Sequence, residues 1–332
     1  MGIEHKPDVW MIRLLNKIPL PRVISPILIG IILYVFALII FSLSPIEFPI
    51  PNPSNLESNW WFFLNFCIIG IVYSFYALDH LVSYGCEEIE KIRPVFSDKK
   101  RFQNKLDELF KDVGTDRYIV IIGIPLISIG LFVGFIILHP NLYSISYIYL
   151  SLLYCIAIFI LATGIWLITS FWVYLYKLSN LKIKQTLITP DRMFGLKPIG
   201  DFCLRASVLW FIAIAISSPV LILIISDAGI MPLGFLSLMT LSGIVLFFIP
   251  QIYLHRTLKK IKKDTLDNIS KQITNNWDQA TVILLVLLMK FNEIEKIKEW
   301  TFWYDTLAKL FLSSTISFIP HFIELGIKSS LF

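Results

Sequence analysis

Six apolar runs alternate with polar segments along the chain. They lie at 23–43, 60–78, 118–138, 147–175, 206–226 and 235–254. About 20 apolar residues, at 1.5 Å rise each, cross a hydrocarbon core of roughly 30 Å as a helix. A transmembrane barrel would show alternating segments of about ten residues, and the chain has none. The pattern predicts an all-α, polytopic helical membrane protein with six transmembrane helices and a helical cytoplasmic layer. Trp60 and Trp61 open the second run as an aromatic interface anchor. The fourth run exceeds the usual length, so it must tilt or project beyond the lipid.

The polar segments carry helical patterns of their own. In 1–22, Trp10, Met11, Leu14, Leu15 and Ile18 share one helical face and Arg13 and Lys17 point elsewhere. That is the pattern of a helix lying in the membrane interface. Within 85–117, Phe102, Leu106, Leu109, Phe110 and Val113 recur at helical spacing. After the sixth run, Leu254, Leu258, Ile261, Thr265, Ile269 and Ile273 hold a seam that continues the helix. Asn275-Asn276 reads as a break, and a second helix returns over 278–300. Residues 307–327 contain Lys309, Pro320, His321 and Glu324, and read as an interfacial or re-entrant helix rather than a seventh span. The expected organisation is an interfacial segment 1–22 and a six-span membrane domain 23–254. That domain carries a cytoplasmic helical loop 85–117 and a loop 176–205. A cytoplasmic helical hairpin with a C-terminal interfacial helix fills 255–332.

Charge orients this arrangement. Of 332 residues, 56% are apolar and 16% charged, and the mean hydropathy is +0.72. Lysine and arginine number four in 1–22, eight in 85–117, six in 176–205 and eleven after 254, which accounts for all 29. The three opposite loops hold none. Basic residues stay on the cytoplasmic side. Both termini are therefore expected in the cytoplasm of a cell-membrane protein, with an even number of spans. This asymmetry accounts for the net charge of +5 without invoking nucleic acid.

Little catalytic chemistry is written in the sequence. Cys67, Cys86, Cys155 and Cys203 are scattered and suggest neither a disulfide framework nor a zinc site. No motif for metalloprotease, serine hydrolase or nucleotide chemistry occurs. The histidines are isolated in sequence, so no metal and no cofactor are expected. Asp79-His80 is the one ionisable pair touching a span. It reads either as a solvated helix end or as a proton or cation site at an inner vestibule. Pro125, Pro219 and Pro250 each remove a helical hydrogen bond within a span, and freed carbonyls can line a pore. Ser217-Ser218-Pro219 is the preferred pore candidate, with Pro125, Asp79 and His80 as further pore or gate residues. Gly123, Gly130 and Gly134 form a small-residue ladder that would let another helix approach.

The central loop, residues 189–201, packs two prolines, two glycines, two aspartates and two basic residues between apolar runs. Thr189-Pro190-Asp191 reads as a helix start. Asp201 is expected to cap the fifth span, with Arg205 one turn later for pairing. Such a loop serves as a structural clip, or as a cytoplasmic gate in which Arg192, Lys197 and Arg205 contact anions. Its run P-D-R-x-x-G-L-K-P-I-G-D resembles a loop of uncharacterised prokaryotic multi-pass membrane proteins, commonly written with two glycines before the leucine. Here Phe194 takes the first glycine's place. Glu299-Trp300-Thr301-Phe302 is similar to an E-W-P-F stretch of the same group, with Thr301 replacing the proline. The resemblance covers these two short stretches and implies a membrane protein, but no activity.

Three functions are compatible with these features. A homo-oligomeric channel or passive small-solute conduit fits broken spans whose interiors are nearly uncharged, because a pore shared between subunits needs little polar surface from each. A membrane-anchored sensor or scaffold would bind a cytoplasmic protein partner through the helices beyond 254. A lipid-facing enzyme would use Asp79, His80 and Asp191 at the bilayer surface.

Overall fold

The computed structural model describes residues 7, 9–43, 56–138, 145–179, 181, 194–225, 231–275, 281–297, 304–316 and 318–319. They form ten α-helices with no strand among them. These are α1 (Trp10–Lys17), α2 (Ser25–Leu43), α3 (Leu56–Ile92), α4 (Lys99–Val113), α5 (Asp116–Leu138), α6 (Ile145–Ser179), α7 (Lys197–Ile225), α8 (Met231–Asn275), α9 (Thr281–Glu295) and α10 (Tyr304–Ile316). A short 3-10 turn, Arg93–Val95, joins α3 to α4. Among the described residues, four helices are long and apolar enough to cross a membrane: Leu64–Val95, Ser151–Ser179, Lys197–Pro219 and Leu236–Asn275.

The α3–α7 pair makes the most extensive helix contact, and α8 packs on the other side of α7. α5 pairs with α6, and α2 lies against α3. Three glycines set close approaches, and at Gly85 of α3 a Cβ would stand 2.9 Å from Phe202 of α7. A Cβ on Gly243 of α8 would stand 2.6 Å from Phe211 and 2.7 Å from Trp210, both on α7. One on Gly30 of α2 would stand 2.4 Å from Val72 of α3. Gly123 is different, because its Cβ would meet Phe159 at an ordinary 3.5 Å. The side-chain surroundings of Gly130 and Gly134 fall outside the described residues.

Several helices continue well past their apolar stretches. α3 runs 14 residues beyond Leu78, about 21 Å at the helical rise. Its amphipathic end packs into the layer that holds α4. Asp98 caps α4 by accepting a hydrogen bond from Arg101 N at 2.9 Å. Phe102, Leu106, Leu109 and Val113 form the buried stripe of α4, as the spacing predicts. Trp166 Nε1 of α6 donates to Asp112 O at 3.0 Å, and Lys177 of α6 pairs with Glu108. α8 extends past Leu254 with Leu258, Thr265 and Ile269 buried. It carries α9 back against it, where Lys262 Nζ donates to Ile297 O at 3.0 Å.

The amphipathic N-terminal helix α1 packs into the bundle. Its covered side is Met11, Ile12 and Leu15, while Leu14 is exposed. Trp10 Nε1 donates to the buried Thr163 of α6 at 2.8 Å. Its ring stands edge-on to Phe75 of α3 and Phe159 of α6 at centroid distances of 6.1 and 6.0 Å. Arg13 pairs with Asp116 at the start of α5.

Candidate functional site

A line of aromatic and cationic groups occupies the outer side of α3 where it meets α7. Tyr76, His80 and Tyr84 are spaced by four, so a helix stacks them on one face. The Tyr76 and His80 rings lie 6.0 Å apart, and those of His80 and Tyr84 6.1 Å, each pair within 8° of parallel. Phe202 of α7 continues the stack at 6.5 Å from Tyr84. Arg205 of α7 sets its guanidinium 3.8 Å from the centre of the Tyr84 ring, a cation–π contact. Its Nη1 lies 3.4 Å from His80 Nε2. Tyr73, on the same helix, donates from its hydroxyl to Leu209 O at 3.0 Å. Tyr76 remains 43% exposed, His80 and Tyr84 are half-buried and Arg205 is exposed, so the line lies at the surface of the bundle.

Acidic groups stand at the end of this line. Glu88 is buried and accepts from Lys91 Nζ at 2.7 Å. Asp201 of α7 is half-buried.

The adjacent residues Asp79 and His80 make different contacts. Asp79 is half-buried and faces Arg22, with Oδ1 3.7 Å from the guanidinium, while His80 belongs to the aromatic line. Ser217 is exposed, Pro219 is half-buried, and Ser218 is buried with its hydroxyl donated to Ala215 O at 3.0 Å. Pro125 lies exposed on α5. Asp191 and Arg192 fall outside the described residues. Asp201 does not cap the fifth span. α7 begins at Lys197, with Pro198 in its first turn, where proline's missing N–H is not needed. Asp201 therefore lies inside the helix, and Arg205, one turn on, reaches Tyr84. Among the described residues no group of three His, Cys, Asp or Glu could hold a metal ion.

Tyr76, Tyr84, Phe202 and Glu88 were not singled out by the sequence pattern. The signal available was the Tyr-x-x-x-His-x-x-x-Tyr spacing in 76–84. It places three rings on one face but does not say that Arg205, 125 residues later, completes them.

No protein-family model, curated protein or solved structure matches the chain.

Proposed function

We propose that the chain is the subunit of a homo-oligomeric, cell-membrane conduit for small anions, with six spans and both termini cytoplasmic. The four long apolar helices are joined in this reading by α2 and α5, of 19 and 23 residues. The observation that carries it is the surface line Tyr76, His80, Tyr84 and Arg205. Arg205 is exposed and His80 half-buried just beyond the cytoplasmic ends of their apolar runs, where a second copy could set them beside a water-filled passage. A second copy bringing the same line to a shared axis would make a cationic, aromatic mouth at the inner end of a pore. Ser217, exposed farther along α7, offers a second polar position toward the other end. Ser218 is buried in the single chain and donates its hydroxyl to Ala215 O.

Ion flux through purified protein in sealed liposomes tests this. Wild type should pass anions in preference to cations, and Arg205→Glu should reverse or abolish that preference. No flux from folded, inserted protein, or an unchanged preference in Arg205→Glu, would count against the conduit.

The reading as a sensor or scaffold is favoured by a different observation. The outer side of α9 exposes Ile283, Leu285, Val286, Leu288 and Met289. It lies on an arm that extends 21 residues past Leu254, about 32 Å at the helical rise. Leu288→Lys on the full chain should leave flux unchanged and remove partner capture if this arm is a docking element.

A further inference from the structure

A second feature lies in the core. Where α3, α4, α6, α7 and α8 converge there is a half-open cavity with about 60 Å3 of room for a guest. Its walls are almost wholly carbon, with Val82 of α3, Phe171 of α6, Phe202 of α7 and Leu246 of α8 facing it. We propose that this cavity binds an aliphatic chain.

Water is a poor occupant. A buried water needs two to four polar partners, and apolar cavities of about 150 Å3 stay dry and take up small hydrocarbons instead. An ion would have no counter-charge on these walls, and a peptide no partners for its backbone groups. A flexible hydrocarbon needs none of these.

The cavity also has reasons to stay open. Gly85 lines the cavity and leaves room for the Phe202 ring, which a Cβ there would crowd at 2.9 Å. Ala206 lines the next turn of α7 with the smallest side chain available after glycine. Pro7 forms part of the wall, and the chain that follows it is pinned by the Trp10–Thr163 hydrogen bond. On α8, Pro250 has no N–H to close on Leu246 O, and both residues line the cavity. The wall of α3 facing the cavity begins two residues after Asp79, whose pairing with Arg22 lies at the charged end of the apolar run. A chain entering from the bilayer would therefore need to travel only a short way from the headgroup level. The inference stands on the cavity alone and does not depend on conduction.

The test is photo-crosslinking of the full-length protein in lipid nanodiscs, with adducts mapped by mass spectrometry. One arm carries a phospholipid with a diazirine in its acyl tail, and the other a free diazirine-bearing long-chain fatty acid. Adducts on 81–89 or 202–206 are expected from at least one probe, and the productive arm identifies the source. Ala206→Phe, or Leu246→Trp if the first does not fold, should lower those adducts several-fold. Adducts on the lipid-facing Ile31 of α2, which is 54% exposed, should be unchanged and serve as the reference. Adducts on α2 alone from both probes, or equal cavity labelling in the filled variants, would overturn the proposal.

Discussion

Phe194 holds φ at 52° and Gly195 at 76°, in the left-handed region where a side chain is strained. The resembling loops carry glycine at the first of these positions, and the backbone here has the conformation glycine favours. A phenylalanine there costs roughly 1–2 kcal/mol of local strain. Its ring is 1% exposed, and burying such a side chain stabilises by about 1.5–3 kcal/mol. Burial wins, so Phe194→Gly should lower stability by about 1 kcal/mol rather than raise it, as read by thermal unfolding in detergent. Thr163 shows a similar balance. Its hydroxyl donates to Phe159 O at 2.8 Å and accepts from Trp10, using both capacities. Trp10→Phe keeps the apolar body but drops the donor, and should cost about 1 kcal/mol. Neither contact was legible in the sequence. Thr163 lies inside an apolar run with nothing to mark its partner, and Trp10 read as part of an interfacial helix.

Elements meet here through positions that sequence motifs ranked differently. The ladder on α5 drew attention to Gly123, Gly130 and Gly134, whereas the described tight approaches are at Gly30, Gly85 and Gly243. Gly243→Val should force α7 and α8 apart and destabilise by about 1–3 kcal/mol, while Gly123→Ala should be close to neutral in the same unfolding assay. The docking of α4 on α6 is sensitive to acid. Hydrogen bonds from Lys105 and Lys177 hold the Glu108 carboxyl down at about 2. An unfolded chain would titrate near 4.3, so this stabilisation is complete above that pH and is lost as pH falls towards 2. The folded protein should therefore loosen over that range, and Glu108→Gln should flatten the dependence of melting temperature on pH. The apolar stripe of α4 followed from periodicity. Its partner did not, because a stripe specifies that something covers it without specifying what.

For the whole molecule, the basic residues predict that Lys271→Cys in the arm and Ser54→Cys in the first opposite loop label from opposite sides of a sealed membrane. Lys271→Cys should react with an impermeant thiol reagent only from the cytoplasm, in a background where the native cysteines are serine. Reaction of both from one side would overturn the orientation. The sequence by itself determined the helical class, the long apolar helices, the seam of α8 and the stripe of α4. These are local properties, set by side-chain periodicity and by the length a hydrocarbon layer demands. Only the tertiary structure decided which faces meet. α2 and α6 are apolar on nearly every side, so their patterns do not encode how they rotate about their own axes. The stack of Tyr76, His80 and Tyr84 under Arg205, the wedge of Trp10 between α3 and α6, and the carbon-lined cavity where five helices converge each join residues far apart in the chain. Their geometry comes from shape complementarity between helices, which no single segment contains.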